Sequence, residues 1–394
     1  MPINGCRRYY KFINKHINIL KNLTIKFKLF IFNFLNIIFS NNKNDKILII
    51  EPNKYHGEII PGYVDYFIKL NFNVHVIINR ELYDTKPFYM FCFNKFNYSI
   101  VEKNKIDTLF CDKILMKYEK IVITSESVNT KINGIYKNID FYTMYPSAKK
   151  YSEKIFFIQH LINIKEGNDI YLNNLIMLEN FDDSFGNCYK GCTPFYFGKI
   201  RSHEKNNITN FIIVGAILNK RRNYELLIET IRKLHFSGKK NFIIKILGRG
   251  DIFEYLNEDS DKELYKYFII LGRVDYPVMH KAIESSDFIL MLLDPENEIH
   301  IEKYLKYGTS GNFQLSYGFL KPCIINEIFA EKRQLNNRNA IVYEKNDDLV
   351  SAMSYAIEMN KNSYKEMQKN LRELTNNIYN NSLKTLKEIF INGE

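Results

Sequence analysis

Tryptophan is absent from this chain, and cysteine is scarce, with 6 residues among 394. So few cysteines in so long a chain do not make the dense framework of a disulfide-stabilised secreted domain. Cys188 and Cys192 are followed by His203, but a metal site needs more convergent ligands than these. We therefore expect reduced, mostly buried thiols and no metal site.

Several motifs are also absent, and each absence excludes a class of protein. The sequence has no helix-turn-helix, zinc finger or RNA-binding aromatic motif, so we expect no nucleic-acid partner despite a net charge of +11. Anionic lipid and nucleotide phosphates account for that charge equally well. No Gly-x-Gly-x-x-Gly motif follows Ile50 or Val214, which disfavours a dinucleotide-dependent dehydrogenase.

The leader at residues 1–45 is basic and aromatic and lacks a long apolar run. Its apolar stretch, 29–39, contains Asn33 and Asn36 and is shorter than the roughly 20 residues that cross a bilayer. No small-residue cleavage site follows, which disfavours a secretory signal. The leader either lies on an anionic membrane surface or packs as a helix on the rest of the protein. We expect a cytoplasmic protein, peripheral to the membrane in the first case.

From residue 46 onward, short apolar runs alternate with segments of helical spacing. We predict buried strands at 46–51 and 74–78 on either side of a helix at 59–70, and such a βαβ unit indicates a parallel sheet. The alternation starts again after the polar segment 201–210. The further predicted strands are 120–124, 155–158, 175–178, 211–215, 242–248, 268–272, 288–293 and 323–325, and the further predicted helices are 224–234 and 278–284.

This repetition predicts an α/β fold with two Rossmann-like, doubly wound domains that face a cleft, followed by a C-terminal helical segment. The predicted division is the leader at 1–45, a first domain at 46–200, a second domain at 211–350 and helices packing across both domains at 351–394.

Loops at the predicted strand ends of the second domain carry residues that suit an anionic ligand, because doubly wound sheets bind ligands there. Gly215 ends a strand, Lys220 and Arg221 follow, and a helix then begins. Cations beside a helix N-terminus suit a pyrophosphate, but a solvated basic turn has the same composition. The other candidates in such loops are Gly248, Gly250, Arg273, Val274, Ser310, Gly311 and Asn312.

The order of these motifs over residues 211–356 resembles the donor half of GT-B glycosyltransferases, in the group that includes the family-four-type enzymes. The shared order is a strand ending in Gly before basic residues, a strand ending in Gly-x-Gly, a strand with Gly-x-Val, an apolar strand that opens with a small and an acidic residue, and a Pro before a further apolar strand. The matching segments of this sequence are 214–221, 247–250, 271–274, 286–291 and 320–325.

The resemblance implies a metal-independent glycosyltransferase of the hexosyltransferase type, acting in surface polysaccharide or glycolipid synthesis. Its donor would be a nucleoside-diphosphate sugar, without another cofactor, and its acceptor a glycan or lipid-linked molecule. Lys220 and Arg221, with the amides near Ser310 and Gly311, would neutralise the leaving diphosphate. The residues that would flank the nucleotide are Gly248, Gly250, Arg273 and Val274.

The first half resembles the acceptor domain of the same fold. His56 and Glu58 lie in a Gly-containing loop after the first strand, and His160 ends a later strand, where many relatives carry a cleft histidine. Each of the three is a base or a group that hydrogen-bonds the sugar, or else an ordinary polar loop residue or a histidine with its hydrogen bonds satisfied.

One feature departs from the family pattern. The paired glutamates that the family places eight residues apart are missing, and their places fall near Tyr307 and Leu315. The stereochemical outcome therefore stays open, and a non-catalytic nucleotide-sugar-binding or membrane scaffold protein is an alternative. An epimerase that acts without an acceptor is a third reading.

Overall fold

The computed structural model describes residues 46–90, 96–102, 106, 115–125, 127–132, 135–160, 174–182, 188–201 and 203–393. The leader lies outside this part of the chain, so both readings of it stay predictions. Within the described residues, no helix has the length and hydropathy needed to cross a membrane.

The first domain is built on a parallel sheet of six strands among the described residues. These strands are β1 Lys46–Glu51, β2 Asn73–Asn79, β3 Phe96–Val101, β4 Lys120–Ile123, β7 Ile155–Gln159 and β8 Leu175–Met177. They lie in the order β3-β2-β1-β4-β7-β8. Residues 47–50 of the central β1 are fully buried, because helices and loops cover both faces of the sheet. Two antiparallel pairs accompany it, β5 Ser127–Ile132 with β6 Ile135–Asp140 and β9 Phe181–Asp182 with β10 Cys188–Tyr189.

The second domain repeats this architecture. Its strands are β11 Thr209–Val214, β12 Phe242–Leu247, β13 Phe268–Gly272, β14 Phe288–Leu290, β15 Cys323–Asn326 and β16 Ile341–Tyr343. They pair in parallel in the order β13-β12-β11-β14-β15-β16. Each sheet therefore has the 3-2-1-4-5-6 order of a Rossmann-like fold, and the predicted fold class is confirmed.

The α-helices pack on these sheets and are joined by short 3-10 and π segments. The helices are α1 Ile60–Lys69, α2 Arg80–Asp84, α3 Phe141–Met144, α4 Tyr224–Phe236, α5 Tyr276–Glu284, α6 Glu298–Ile301, α7 Gly311–Phe319, α8 Glu327–Glu331, α9 Leu349–Glu358 and α10 Lys361–Lys387. The 3-10 segments are Pro146–Lys154, Ile252–Tyr255, Lys262–Tyr267 and Asn346–Asp348, and the π segments are Glu302–Tyr307 and Glu388–Asn392.

The long helix α10 contacts both domains. Leu371 is buried in the core of the second domain, whereas Leu386 and the following Phe390 are buried in the core of the first. Between them, Tyr379 donates a hydrogen bond to Asp65 of α1 over 2.7 Å. A single amphipathic helix thus joins the two domains through apolar burial at both of its ends.

The structure differs from the sequence prediction at several element boundaries. Strands β3 and β16 were not predicted, because β3 is a polar edge strand and β16 spans three residues. Helix α5 begins at Tyr276 instead of residue 278, because Asp275 caps it by accepting from Val278 N. Strand β14 ends at Leu290 instead of residue 293, since Leu292 has a φ of +51° that breaks the extended backbone.

Candidate active site at the strand ends of the two sheets

In each sheet the strand order reverses direction between the first and fourth strands, and doubly wound folds bind ligands in the crevice at that point. These switch points lie between β1 and β4 in the first sheet and between β11 and β14 in the second. A residue other than glycine takes a positive φ near each one, His56 after β1 and Leu292 after β14. Such backbone costs energy and concentrates at functional sites.

A buried carboxyl group, Glu51, occupies the first switch point. It ends β1 and accepts hydrogen bonds from Asn53 N at 2.6 Å and from Thr124 Oγ1, just after β4, at 2.7 Å. Ser125 Oγ donates to it at 3.2 Å. Burial raises the pKa of Glu51 to about 7, although the charge of His56 and these hydrogen bonds oppose the shift.

His56, Glu58 and His160 come together above Glu51. His56 Nδ1 lies 3.8 Å from Glu58 Oε1, and the rings of His56 and His160 have centroids 4.0 Å apart. His160 Nε2 is buried and has no hydrogen-bond partner within the described part of the chain. The structure therefore brings together the three catalytic candidates of the first domain.

The charges of this cluster are set by burial and by its members' contacts. Burial opposes the charge on His56, but the contact with Glu58 and the charges of Glu51 and Glu58 outweigh it and raise the pKa of His56. Burial also opposes the charge on Glu58, but His56 holds the Glu58 pKa at about 2. Burial, with the charge of His56, lowers the pKa of His160 to about 3. The contact between His56 and Glu58 thus favours the charged form of each, beside a His160 that burial keeps neutral.

An arginine occupies the second switch point. Gly215, which follows β11, has a φ of +124°, and a Cβ there would lie 2.8 Å from Arg222 Nη1. Arg222 Nη2 donates to Val214 O, and the Asn312 amide, oriented to satisfy its neighbours, bridges that oxygen and Arg222 over 3.0 Å each. Arg222 is buried, and no carboxylate of the described residues pairs with it.

The predicted cations, Lys220 and Arg221, lie on the exposed side of the same turn. Lys303, in the π segment Glu302–Tyr307, lies near them. Burial lowers the pKa of Lys303, and the charges of Arg221, Arg222 and Lys220 lower it further. Four cations therefore share one region of positive potential at the end of β11. The turn is held there because Asn223, which caps α4, donates to Leu292 O from its backbone and to Asp294 from its side chain.

The predicted nucleotide-flanking residues divide into two groups. Gly248 and Gly250 lie in a loop that packs on residues 215–217, and a Cβ on Gly248 would lie 1.9 Å from Gly215 O. These glycines allow the two loops to touch, and their role beside a nucleotide stays a prediction. Arg273 is exposed beyond the edge strand β13, and Val274 packs against the core of the second domain.

The third predicted loop forms the N-terminus of α7. Ser310 caps this helix, accepting a hydrogen bond of 3.4 Å from Asn312 N, and Gly311 is its first residue. Because Asn312 also reaches Arg222, the structure brings the first turn of α7 to the cationic turn. The predicted anion sites at Gly215 and at Ser310–Gly311 are thus parts of one site.

Residues that follow the strand ends also join the two domains. Tyr276 Oη donates to Glu58 Oε2 at 2.9 Å, and Lys86 pairs with Asp275 at 3.1 Å. Glu179, after β8, pairs with Arg333 of the second domain and accepts from the Thr309 hydroxyl. The carboxyl edges of the two sheets therefore face each other.

Five residues of this region were not predicted from the sequence, namely Glu51, Arg222, Lys303, Tyr276 and Glu179. Glu51 had a usable signal, since a carboxylate that ends a buried apolar strand is unusual. Arg222 lies next to the predicted cations, so the sequence located the turn but not the inward residue. Lys303, Tyr276 and Glu179 had no signal, because they act through elements distant in sequence. No group of three or more potential metal ligands occurs among the described residues.

Comparisons with known proteins show a similarity of fold and not of sequence. Scans of family models and of curated proteins find no match. AviGT4, described as a glycosyltransferase involved in Avilamycin A biosynthesis, matches with a TM-score of 0.52 and 10% identity, over 88% of this chain and 98% of that chain. The chain has the GT-B fold.

Two further structures share this GT-B fold. An alpha-glucosyltransferase in complex with UDP and a 13-mer DNA has a TM-score of 0.51 and 14% identity, over 87% of this chain and 94% of its own. An E. coli structure described as trehalose-6-phosphate bound with UDP-2-fluoro glucose has a TM-score of 0.51 and 11% identity, over 88% of this chain and 98% of its own. At these identities the likeness establishes the fold.

Proposed function

We propose that this chain is a glycosyltransferase that moves a sugar from a nucleoside-diphosphate sugar to a glycan or lipid-linked acceptor. The observation that carries the proposal is the buried Arg222 guanidinium, which has no carboxylate partner among the described residues and lies at the switch point of the second sheet. A buried cation without a counter-ion is costly, so this site favours an anionic ligand.

A diphosphate suits the site better than a single carboxylate. Arg222 offers a guanidinium, Lys220, Arg221 and Lys303 add charge around it, and the first amides of α7 lie beside Asn312. Negative charge grows on a leaving diphosphate as the glycosidic bond breaks. Cations that are already in place stabilise that charge without reorganisation, which lowers the barrier.

The groups of the first domain would act on the sugar and the acceptor. Of the three candidates, His56 suits proton transfer best, because its neighbours raise its pKa from the ordinary histidine value, whereas Glu58 is held as a carboxylate and His160 as a neutral imidazole. The neutral His160, whose Nε2 has no partner among the described residues, suits a hydrogen bond to a sugar hydroxyl. Glu58 would orient His56.

The arrangement of the domains supports transfer from one to the other. The acceptor would bind to the first domain and the donor to the second, since the carboxyl edges of their sheets face each other. Contact between the domains would exclude water, which otherwise hydrolyses the donor. Two of the comparison structures are described with UDP or a UDP sugar, and we carry that ligand class over to this chain.

One observation favours a non-catalytic nucleotide-sugar-binding protein as the second candidate. Helix α7, read as GNFQLSYGF, carries no carboxylate, and Leu315 is buried in the core where the resemblance leads us to expect a glutamate. Such a protein would use the same cationic site to bind the ligand without turning it over.

The test is a panel of nucleoside-diphosphate sugars in a thermal-shift assay, followed by transfer assays with radiolabelled donor. A ligand that binds only the folded state raises the melting temperature. The proposal predicts stabilisation by one nucleotide class and label transfer to a glycan or lipid-linked acceptor, with none to duplex DNA. Binding without transfer would support the second candidate, and the absence of any stabilisation would reject both.

A further inference from the structure

Tyr276 belongs to the second domain but is held against the first. It is the first residue of α5, and its hydroxyl donates to Glu58 Oε2 at 2.9 Å. Its backbone N–H donates to Thr85 O at 3.1 Å, and its neighbour Asp275 pairs with Lys86 at 3.1 Å. The phenol is therefore placed by contacts with two different segments of the first domain.

The loop after β1 makes room for this hydroxyl through a missing side chain. A Cβ on Gly57 would lie 2.7 Å from Tyr276 Oη and 2.9 Å from Leu82 Cδ1. Real Cβ atoms do not approach other heavy atoms so closely, so any larger residue at this position would displace the phenol or the leucine. Glycine at residue 57 is therefore what allows Tyr276 to reach Glu58.

Glu58 makes contacts through both of its oxygens. Oε2 accepts from Tyr276, and Oε1 lies 3.8 Å from His56 Nδ1. We propose that Tyr276 is a positioning residue, supplied by the second domain, which holds Glu58 against His56 and so completes this proton-transfer group only while the two domains are in contact. Its catalytic consequence rests on the proposed function, whereas the positioning itself does not.

The physical reason is the freedom of a glutamate side chain that has only one fixed contact. The neutral Tyr276 hydroxyl fixes the orientation of the Glu58 carboxylate without adding another charge. Because the acceptor is charged, this hydrogen bond is stronger than one between two neutral groups. Burial and the charge of Glu58 raise the pKa of Tyr276 well above its usual range, so the phenol stays a donor. The titratable groups that face His56 are Glu51, Glu58, His160 and Tyr55, and Tyr276 reaches it only through Glu58.

The first test is kinetic and compares Tyr276→Phe with variants that alter the same interface elsewhere. Tyr276→Phe should lower kcat about tenfold or more, with the donor Kd unchanged. Gly57→Ala should reproduce this defect. Tyr89→Phe, which removes a hydroxyl from a ring that contacts His280 of α5, and Tyr379→Phe, which removes the hydrogen bond from α10 to Asp65, should keep near wild-type kcat. An equal loss in Tyr379→Phe would mean that domain contact alone matters and would overturn the proposal.

The second test needs no activity. The His56 ring is titrated by NMR in wild type and Tyr276→Phe, with His56→Gln to assign its signal. A carboxylate held close raises the pKa of an imidazole, so the His56 pKa should fall in Tyr276→Phe and not in Tyr89→Phe. An unchanged His56 pKa would overturn the positioning role, even in an active enzyme. A fall without sugar transfer by the wild type would support the positioning and reject the proposed function.

Discussion

Arg333 donates from Nε and Nη2 to the two oxygens of Glu179, over 3.0 and 2.9 Å, and this pair joins the two domains. The Arg333 side chain is 3% exposed, its guanidinium lies 4.0 Å from the centroid of the Phe313 ring, and it also donates to Phe329 O and Tyr304 O. The arginine therefore has several buried partners within its own domain, whereas Glu179 is its carboxylate partner from the other.

Loss of one member of this pair should cost more than loss of both. Glu179→Gln leaves the Arg333 charge buried, and we expect a loss of about 3 kcal/mol in the free energy of unfolding. In Glu179→Gln/Arg333→Met no buried charge remains, so the double variant should be more stable than Glu179→Gln. Urea unfolding of the two single variants, the double variant and wild type measures the coupling. Additive losses would show that the two side chains do not interact.

The buried Glu51 should make stability depend on pH. Its pKa is about 7 in the folded protein against 4.5 ordinarily, so the unfolded chain loses this proton at lower pH than the folded one. The stability that it contributes is fully present below pH 4.5 and is lost as pH rises to about 7, a change on the order of 3 kcal/mol.

A glutamine keeps the shape of Glu51 without the titration. The hydroxyls of Thr124 and Ser125 can rotate to meet its amide. Urea unfolding at pH 5 and pH 8 should therefore show Glu51→Gln to be the more stable protein at pH 8, with a smaller difference between the two pH values than wild type has. If Glu51→Gln loses as much stability as wild type between pH 5 and pH 8, the loss comes from the titration of other groups.

Much of the fold could be predicted from the sequence, because a strand buried on both faces is an uninterrupted apolar run. Residues 46–51 were located to the residue for this reason. The run 268–272 was also located to the residue, although its strand lies at the edge of the sheet and exposes Ile269 and Ile270. The candidate site was predictable only in part. Three consecutive cations, 220–222, come after Gly215, and only the third, Arg222, turns inward. Its partner there is Asn312, which belongs to a helix distant in sequence. Tyr276 likewise depends on how the domains meet, which no local pattern encodes.

Gly248 should tolerate no side chain, although glycines that follow a strand can often be replaced. A methyl group there would lie 1.9 Å from Gly215 O and would separate the two loops. We expect Gly248→Ala to cost about 3 kcal/mol and to weaken donor binding, because Gly215 carries the cationic turn. Gly238→Ala is the control: its φ is +80° with nothing within 4 Å, so it should cost about 1 kcal/mol. Equal melting temperatures for the two variants would contradict the steric account.

The exposed cations of the turn should contribute to turnover and not to folding. A charge-assisted contact is worth about 10- to 150-fold in rate, so Lys220→Ala or Arg221→Ala should lower kcat/KM by that factor. Melting curves should match wild type, since loop cations contribute little to stability. Lys240→Ala, an exposed cation before β12, is the control for net charge. Wild-type kinetics in both turn variants would show that these residues form a solvated loop.

The most direct test of the account compares a nucleoside diphosphate with its nucleoside, by isothermal titration against wild type and Arg222→Met. The diphosphate is chosen from the nucleotide class that stabilises the wild type. Because the buried guanidinium lacks a carboxylate partner among the described residues, we predict that wild type binds the diphosphate more tightly than the nucleoside. Arg222→Met should weaken the diphosphate about 10- to 150-fold and leave nucleoside binding unchanged. Equal diphosphate affinity in wild type and Arg222→Met would contradict the assignment of this site to the donor.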